Sequence, residues 1–95
     1  MKILAIENEL SSVVAAEFKK FGKEEAKVLW GLYQTGFVRE FYFRRDNNTA
    51  VLILEAESIA AARKKLKRLP FVKKNLIEFE LISLKPYPGF ERLFV

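Results

Sequence analysis

The chain has 95 residues, enough for one domain with a single core and too few for two. It contains no histidine and no cysteine, which excludes disulfides, thiolate chemistry, the usual general base at neutral pH and the usual zinc or haem ligands. Catalysis would have to use acidic groups, lysine, arginine, tyrosine or a bound cofactor, and of these we expect side chains alone, with neither a metal nor a cofactor.

The start of the chain predicts a soluble, cytoplasmic protein. The first ten residues, MKILAIENEL, become acidic too soon for a signal peptide. No apolar run approaches the roughly 18 residues that a membrane span needs. The net charge of +5 could indicate a polyanionic partner, so the position of the excess charge has to be considered.

The first third of the chain predicts a strand followed by a helix. Met1–Ile6 is a short apolar strand, and Glu7–Ser12 is predicted to be a loop. From about residue 15, large apolar residues recur at helical spacing among charged ones. Gly22 predicts a break in this helix, with a main helix from about residue 23, and Gly36 predicts its end.

The stretch from Phe37 to Ser58 is the longest run of β-forming residues and predicts a hairpin. A three-residue loop, Asp46-Asn47-Asn48, would place Arg39 opposite Glu55. A two-residue loop would instead place Glu40 opposite Glu55, and like charges across a ladder are unfavourable. We therefore expect the first register, which also pairs Arg45 with Thr49, Phe43 with Val51, and Phe41 with Ile53.

The rest of the chain adds a helix, a strand and a tail. Ser58 is a suitable helix cap, an apolar stripe follows from Ile59 to Leu69, and Pro70 is expected to stop the helix. Leu76–Leu84 alternates as a strand. The order predicts one ferredoxin-like α+β domain over residues 1–95, βαββαβ, with a four-stranded antiparallel sheet and two helices on one face.

The second hairpin strand is apolar on both faces. Val51 and Ile53 point one way while Leu52 and Leu54 point the other, and the two helices can cover one face only. A monomer would expose a large apolar patch. We therefore expect a homodimer or higher oligomer formed by sheet-on-sheet packing, with the tail (residues 85–95) lying on the partner or at a pocket mouth.

These patterns resemble the muconolactone-isomerase-like group of the dimeric α/β-barrel superfamily. The resemblance runs from about Glu24 to Pro88 and depends on Leu69-Pro70 closing the second helix, a Glu-rich last strand and a proline-containing tail. It implies dimers built by sheet-on-sheet packing and a superfamily that includes isomerases and monooxygenases. Several branches of that superfamily use a histidine, and this chain has none to take that role.

Two groups of residues are candidates for a site. Arg39, Glu55 and Tyr42 are the candidate catalytic groups, since a buried ion pair near a second carboxylate can shift a pKa. The alternative is that the ion pair only holds subunits together. The candidate ligand-binding residues, which offer stacking area, hydroxyls or charge, are Arg44, Tyr33, Tyr87 and Glu80.

A basic cluster on the second helix carries most of the excess charge. Nucleic-acid binding is nevertheless unfavoured, because no RNP-like stretch is present and the aromatic residues lie on the hairpin. We expect a protein that binds a small aromatic or carboxylated metabolite, with cofactor-independent isomerase or monooxygenase activity. The alternatives are a non-catalytic ligand-binding or assembly protein and, third, an RNA-binding module using Arg63, Lys64, Lys65, Lys67, Arg68, Lys73 and Lys74.

Overall fold

The architecture comes from a computed structural model, which describes residues 1–10 and 15–95. Four strands pair in an antiparallel sheet in the order β2-β3-β1-β4, and the helices pack on one face of it. This is the predicted ferredoxin-like arrangement, and the fold class is confirmed. The elements are β1 Lys2–Glu9, α1 Ala15–Gln34, β2 Val38–Phe43, β3 Ala50–Glu55, α2 Ile59–Leu66, α3 Pro70–Lys73, β4 Ile77–Leu84 and a 3₁₀ helix Gly89–Phe94.

The core lies between the sheet and the helices. Ile3 and Ala5 from β1 and Leu52 and Leu54 from β3 are all 0% exposed, and they pack with apolar residues of α1, α2 and α3. These positions alternate along each strand, as a half-covered sheet requires. The predicted division of β3 into two apolar faces is therefore confirmed, with Leu52 and Leu54 on the helix side.

Two helix predictions are wrong and two are confirmed. The first helix continues through Gly22 without a break, because its apolar stripe packs on the core along the whole length. Pro70 does not stop the second helix; α2 has already ended, and Pro70 opens α3 as its first residue. Gly36 adopts a φ of 84° just beyond α1, and Ser58 Oγ accepts the amide N–H of Ala61 at 3.0 Å.

The first strand is longer than the sequence predicted. The sequence predicts a loop from Glu7, but Glu7, Asn8 and Glu9 pair with Phe79, Glu78 and Ile77 of β4. Pairing with a long neighbouring strand extends β1 beyond its apolar segment. The remainder of the predicted loop, at Ser11 and Ser12, lies outside the described residues.

The predicted hairpin register is wrong. Phe43 lies opposite Ala50 and Tyr42 opposite Val51, and the Arg44 amide donates to the Thr49 carbonyl at 2.8 Å. The loop between Arg44 and Thr49 is therefore longer than the predicted three-residue turn. Asn48 takes the left-handed conformation with φ 56°, and its amide donates to the carbonyl of Arg44 at 2.9 Å. The ladder also shifts at Arg39 between the pairs of Val38 and Glu40, so Arg39 has no partner strand residue.

Glu55 consequently makes a different contact from the one expected. Its Oε2 accepts the N-terminal ammonium of Met1 at 2.6 Å, and its ladder partner is Lys2. The pKa of Glu55 is lowered mainly by this hydrogen bond, with a smaller contribution from the charge of Arg39. The direct Arg39–Glu55 pair across the ladder is therefore replaced by an N-terminal salt bridge at a 40% exposed side chain.

One face of the sheet carries a group of apolar residues that the helices do not cover. Leu4 lies opposite both Ile53 and Ile82, and Ile6 lies opposite Val51, all on the side away from the helices. We call this the open sheet face: Leu4, Ile6, Val51, Ile53, Ile82 and Leu84. Its β4 edge is substantially exposed, with Ile82 at 38% and Leu84 at 39%.

Beyond β4 the C-terminal arm, residues 85–95, extends away from the domain. Phe90, Leu93 and Phe94 are 67%, 75% and 85% exposed. The subunit is 58 Å in its longest dimension, about twice the roughly 30 Å length of a 20-residue helix. The arm therefore presents large apolar side chains beyond the core of its own subunit.

Candidate active site

An aromatic groove lies between α1 and β2. It has a volume of about 410 Å³ and is lined by Ala26, Leu29, Trp30, Tyr33, Val38 and Phe41. Trp30 and Tyr33 stack one helical turn apart, with ring centroids 5.7 Å apart and planes inclined by 17°. Although they belong to α1, these two rings are 60% and 49% exposed, so they are available to a flat ligand.

Behind this groove is a smaller inner cavity of about 70 Å³. Leu29 and Phe41 line both spaces, so the groove and the inner cavity share part of their walls. The other walls of the inner cavity are mostly apolar, but two carboxylates, Glu7 of β1 and Glu25 of α1, line it as well. Within the described residues, these are the titratable side chains of the cavity wall.

Glu25 is held on the apolar side of α1. Its Oε1 accepts the backbone N–H of Phe71 in α3 at 2.9 Å, and the Phe71 ring packs edge-on against Phe18 at 5.0 Å. This hydrogen bond fixes the carboxyl group between the helix and the sheet. Burial raises the pKa of Glu25 to about 7, an effect that outweighs the hydrogen bond and to which the charge of Glu7 also contributes.

A carboxyl group with this pKa exchanges a proton at neutral pH. With a pKa of about 7, Glu25 is accessible both as a carboxylate and as a carboxylic acid near neutral pH, so the group can accept and donate a proton in one cycle. An apolar groove beside such a group can present a carbon acid to a base. The arrangement is therefore suited to proton transfer without a cofactor.

Stability should fall with rising pH through the titration range of Glu25. Its pKa is raised from 4.5 to about 7 in the folded protein, so the folded state retains a proton that the unfolded state has lost between these values. Because Glu25 is partly exposed, we expect the free energy of unfolding of wild type to fall by only about 1–2 kcal/mol between pH 4.5 and 7. Urea unfolding at pH 4.5 and 7.5 measures this loss.

Glu25→Gln is the matched variant for that measurement, because a glutamine oxygen can still accept the Phe71 amide. The variant should lose less stability than wild type over the same pH interval. Equal pH slopes for wild type and variant would show that Glu25 is not the titrating group.

The structure distributes the sequence-predicted site residues over separate surfaces. Tyr33 lines the aromatic groove. Tyr42 and Glu80 lie on the open side of the sheet, where the Tyr42 hydroxyl donates to Glu40 at 2.8 Å. Arg44 pairs with Asp46 at the hairpin end at 2.7 Å, and Tyr87 packs edge-on against Phe90 in the C-terminal arm at 5.1 Å.

Arg39 and Glu55 lie near the end of the sheet where the chain starts. The Arg39 guanidinium approaches Gly36, and Glu55 binds the N-terminus. Within one subunit, the predicted residues thus do not form one cluster. The sequence interpretation missed Glu7 and Glu25, although Glu25 interrupts an apolar stripe four residues after Phe21 and four before Leu29.

The described residues hold no group of three or more acidic side chains that could bind a metal ion. The cysteine- and histidine-free composition leaves only oxygen ligands for such a site. Among the described helices, none is long and apolar enough to cross a membrane.

Comparison with solved structures identifies the fold. Muconolactone isomerase superposes with a TM-score of 0.75 over 94% of this chain and 93% of that chain, at 16% identity. The fold is that of muconolactone isomerase. The predicted resemblance to the dimeric α/β-barrel group is confirmed at the level of the fold.

A second similar structure has the same architecture. It is 5-chloro-2-hydroxyhydroquinone dehydrochlorinase from Burkholderia phenoliruptrix in complex with 2,5-dihydroxybenzoquinone, with a TM-score of 0.63 and 17% identity over 94% of this chain and 98% of that one. No protein-family profile matches the chain, and no curated protein matches its sequence. The two structures therefore establish the fold alone.

Proposed function

We propose that the protein is a cofactor-independent enzyme of the isomerase type that transfers a proton on a small cyclic metabolite. The observation that carries this proposal is Glu25, a half-buried carboxyl group with a pKa of about 7 on the wall of a cavity adjoining the aromatic groove. Both structural neighbours act on ring compounds according to their names, which supports the same class of ligand. Aromatic and carboxylated compounds are the candidates.

In this mechanism the ligand ring lies against Trp30 and Tyr33. A hydrogen made acidic by an adjacent carbonyl points past Leu29 toward the inner cavity. The Glu25 carboxylate takes this proton, forming a carboxylic acid while the ligand becomes an enolate. The acid then delivers a proton to a different carbon of the enolate, so the double bond moves and no oxidant, metal or cofactor is consumed.

Ligand binding can be followed at Trp30, since the chain has a single tryptophan. We expect its indole N–H signal in a nitrogen–proton NMR spectrum to shift on titration with a panel of unsaturated lactones and hydroxyquinones, because Trp30 lines the groove. The Tyr33→Ala variant should weaken binding about 5- to 150-fold through loss of stacking.

A matched control keeps the experiment specific to the groove. Lys64→Ala removes a long, exposed side chain from α2 and leaves both the groove wall and the C-terminal arm intact. An unchanged Trp30 signal with every compound of the panel would contradict the groove as a ligand site.

The assembly proposal concerns the open sheet face. We propose that two subunits pack these faces together, because an uncovered apolar sheet face is unfavourable in water and a second copy offers the matching surface. Charged and phenolic groups beside the apolar residues would then lie inside the dimer. A role in catalysis for Arg39, Glu55 and Tyr42, and in ligand binding for Arg44 and Glu80, stays a prediction for this interface.

We also propose that the C-terminal arm packs on a partner subunit at the mouth of the aromatic groove. The arm is apolar and uncovered, and so is the groove, whose β2 wall lies at the opposite sheet edge from β4. Because the chain has no cysteine, Phe94→Cys and Tyr33→Cys proteins can be mixed and oxidised. A mixed disulfide dimer is expected; only like-with-like products, at the level of a Phe94→Cys and Lys64→Cys control mixture, would contradict this placement.

A second function, RNA binding, has one supporting feature, the basic residues around α2. Two of these side chains are engaged within the subunit: Lys65 lies 5.1 Å from the Phe37 ring centroid, and Arg63 donates to the carbonyl of Phe79 at 3.4 Å. They cover the core from the solvent side, which a solvated helix face explains. The groove is the better supported site.

A further inference from the structure

Glu7 is a carboxylate on the apolar side of a strand. Side chains of β1 alternate, so Glu7 points to the same side of the sheet as Ile3 and Ala5, which are fully buried. Its Oε1 accepts the backbone N–H of Ala50, the first residue of β3, at 3.1 Å. A hydrogen bond of this kind fixes the carboxyl group at the end of the core nearest the hairpin.

Glu7 lines two different spaces. On one side it forms part of the wall of the inner cavity together with Glu25. On the other it lines a polar outer depression of about 260 Å³, with Arg44, Asn47 and Thr49 at the hairpin end. Glu7 is therefore placed between the buried carboxyl group and solvent.

The inner cavity has room for bound water. Its volume of about 70 Å³ exceeds the roughly 10–15 Å³ that one water molecule needs, and two carboxyl groups provide polar partners. A proton can therefore cross from Glu25 to Glu7 through water held in the cavity that both carboxyl groups line.

The surroundings favour a shared proton. Burial raises the pKa of Glu7, Glu9 on the same strand raises it further, and the charge of Glu7 raises the pKa of Glu25. The charged groups around Glu7 are Glu25 of α1 in the inner cavity, and Glu9 and Arg44 in the outer depression. On α1 and beyond α3, Lys20 and Lys74 lie over the Phe21 ring at 5.4 and 5.3 Å.

We propose that Glu7 is the solvent-side proton relay of Glu25, an inference that rests on the proposed role of Glu25 as the base. After Glu25 takes a proton from the ligand, its O–H proton passes to the Glu7 carboxylate, leaving Glu25 ionised. Glu7 then releases that proton to water in the outer depression. The reverse path supplies a solvent proton to the ligand, so charge and protons balance in each direction.

The relay makes two results necessary in the intact protein. In carbon-13 NMR of glutamate-labelled protein, the Glu25 and Glu7 carboxyl signals should titrate as a coupled pair. Glu7→Gln, which can still accept the Ala50 amide, should lower the midpoint of Glu25. The second result concerns a reactive compound of the lactone and hydroxyquinone panel in heavy water. With Glu7→Gln, the ratio of deuterium uptake to isomerisation should be at least tenfold lower than with wild type, because the proton that Glu25 abstracts returns to the ligand without exchanging with solvent.

Two controls separate the relay from other effects. Glu24→Gln removes the same charge from the exposed neighbour of Glu25 and should change neither readout. Glu7→Asp keeps a carboxyl group in the same place and should restore part of the deuterium uptake.

Each outcome is decisive. A Glu25 titration curve unchanged by Glu7→Gln overturns the relay, and so does a lowered midpoint with unchanged deuterium uptake, which would leave Glu7 as a charged neighbour only. If wild type itself neither isomerises nor exchanges any compound of the panel, Glu25 is not the base. In that case the proposed function fails, and the relay fails with it.

Discussion

Glu25→Gln should reduce proton transfer on the reactive compounds of the panel by about 10²–10⁴-fold, the usual contribution of a positioned general base. Glutamine has nearly the same shape and can accept the Phe71 amide as Glu25 does at 2.9 Å, so the fold and the groove should be retained. The group lost is the one that exchanges a proton near pH 7. The measurement is the rate of ligand deuteration in heavy water followed by proton NMR.

The matched control for this variant is Glu24→Gln. Glu24 is the exposed neighbour on the same helix, and its substitution changes the net charge equally. It should leave both the rate and the Trp30 binding signal unchanged. A Glu25→Gln protein that binds at Trp30 and keeps the wild-type rate would require another base.

Ile53→Lys should dissociate the proposed dimer into subunits of 11.1 kDa. Ile53 lies in the middle of the open sheet face, opposite Leu4 on one side and Glu40 on the other. In a symmetric pair both copies carry the new charge, and an unpaired buried charge costs about 3–5 kcal/mol. The dissociation constant of the dimer should therefore rise by at least about 10²-fold, and sedimentation equilibrium measures it.

Ala60→Lys provides the control, because it adds the same charge at an exposed position on the helix side of the sheet. This variant should sediment like wild type. A wild-type protein that is already monomeric at micromolar concentration would contradict the sheet-on-sheet proposal, and an Ile53→Lys dimer would show that another surface forms the contact.

Much of the fold could be predicted from periodicity. The apolar run of β3, the alternation in β4, the apolar stripes of the helices, and the caps at Ser58 and Gly36 are local signals. They predict the order of the four strands and the two longer helices, but not α3 or the 3₁₀ helix. The wrong predictions concern strand length and register, which depend on how strands pair. The extension of β1 depends on pairing with β4, which is distant in the chain, and the hairpin register depends on a ladder shift at Arg39 and a left-handed Asn48.

The candidate site was harder to predict than the fold. Among many charged residues, Glu25 could be recognised as unusual only by its position on the apolar stripe of α1. Glu7 could be recognised only once β1 was known to continue beyond Ile6, since the alternation from Ile3 and Ala5 then points it inward. The raised pKa of Glu25 comes from its burial against residues that are distant in the chain, and no spacing in the sequence reveals this packing.

The most direct test of the account is the ionisation of Glu25 in the wild-type protein. Its carboxyl carbon can be followed by NMR between pH 3 and 9, with the signal assigned by its loss in Glu25→Gln. We expect a midpoint near pH 7, as burial in the inner cavity requires. A midpoint near 4.5, the ordinary value for glutamate, would contradict the proposal that this groove contains a proton-transfer site.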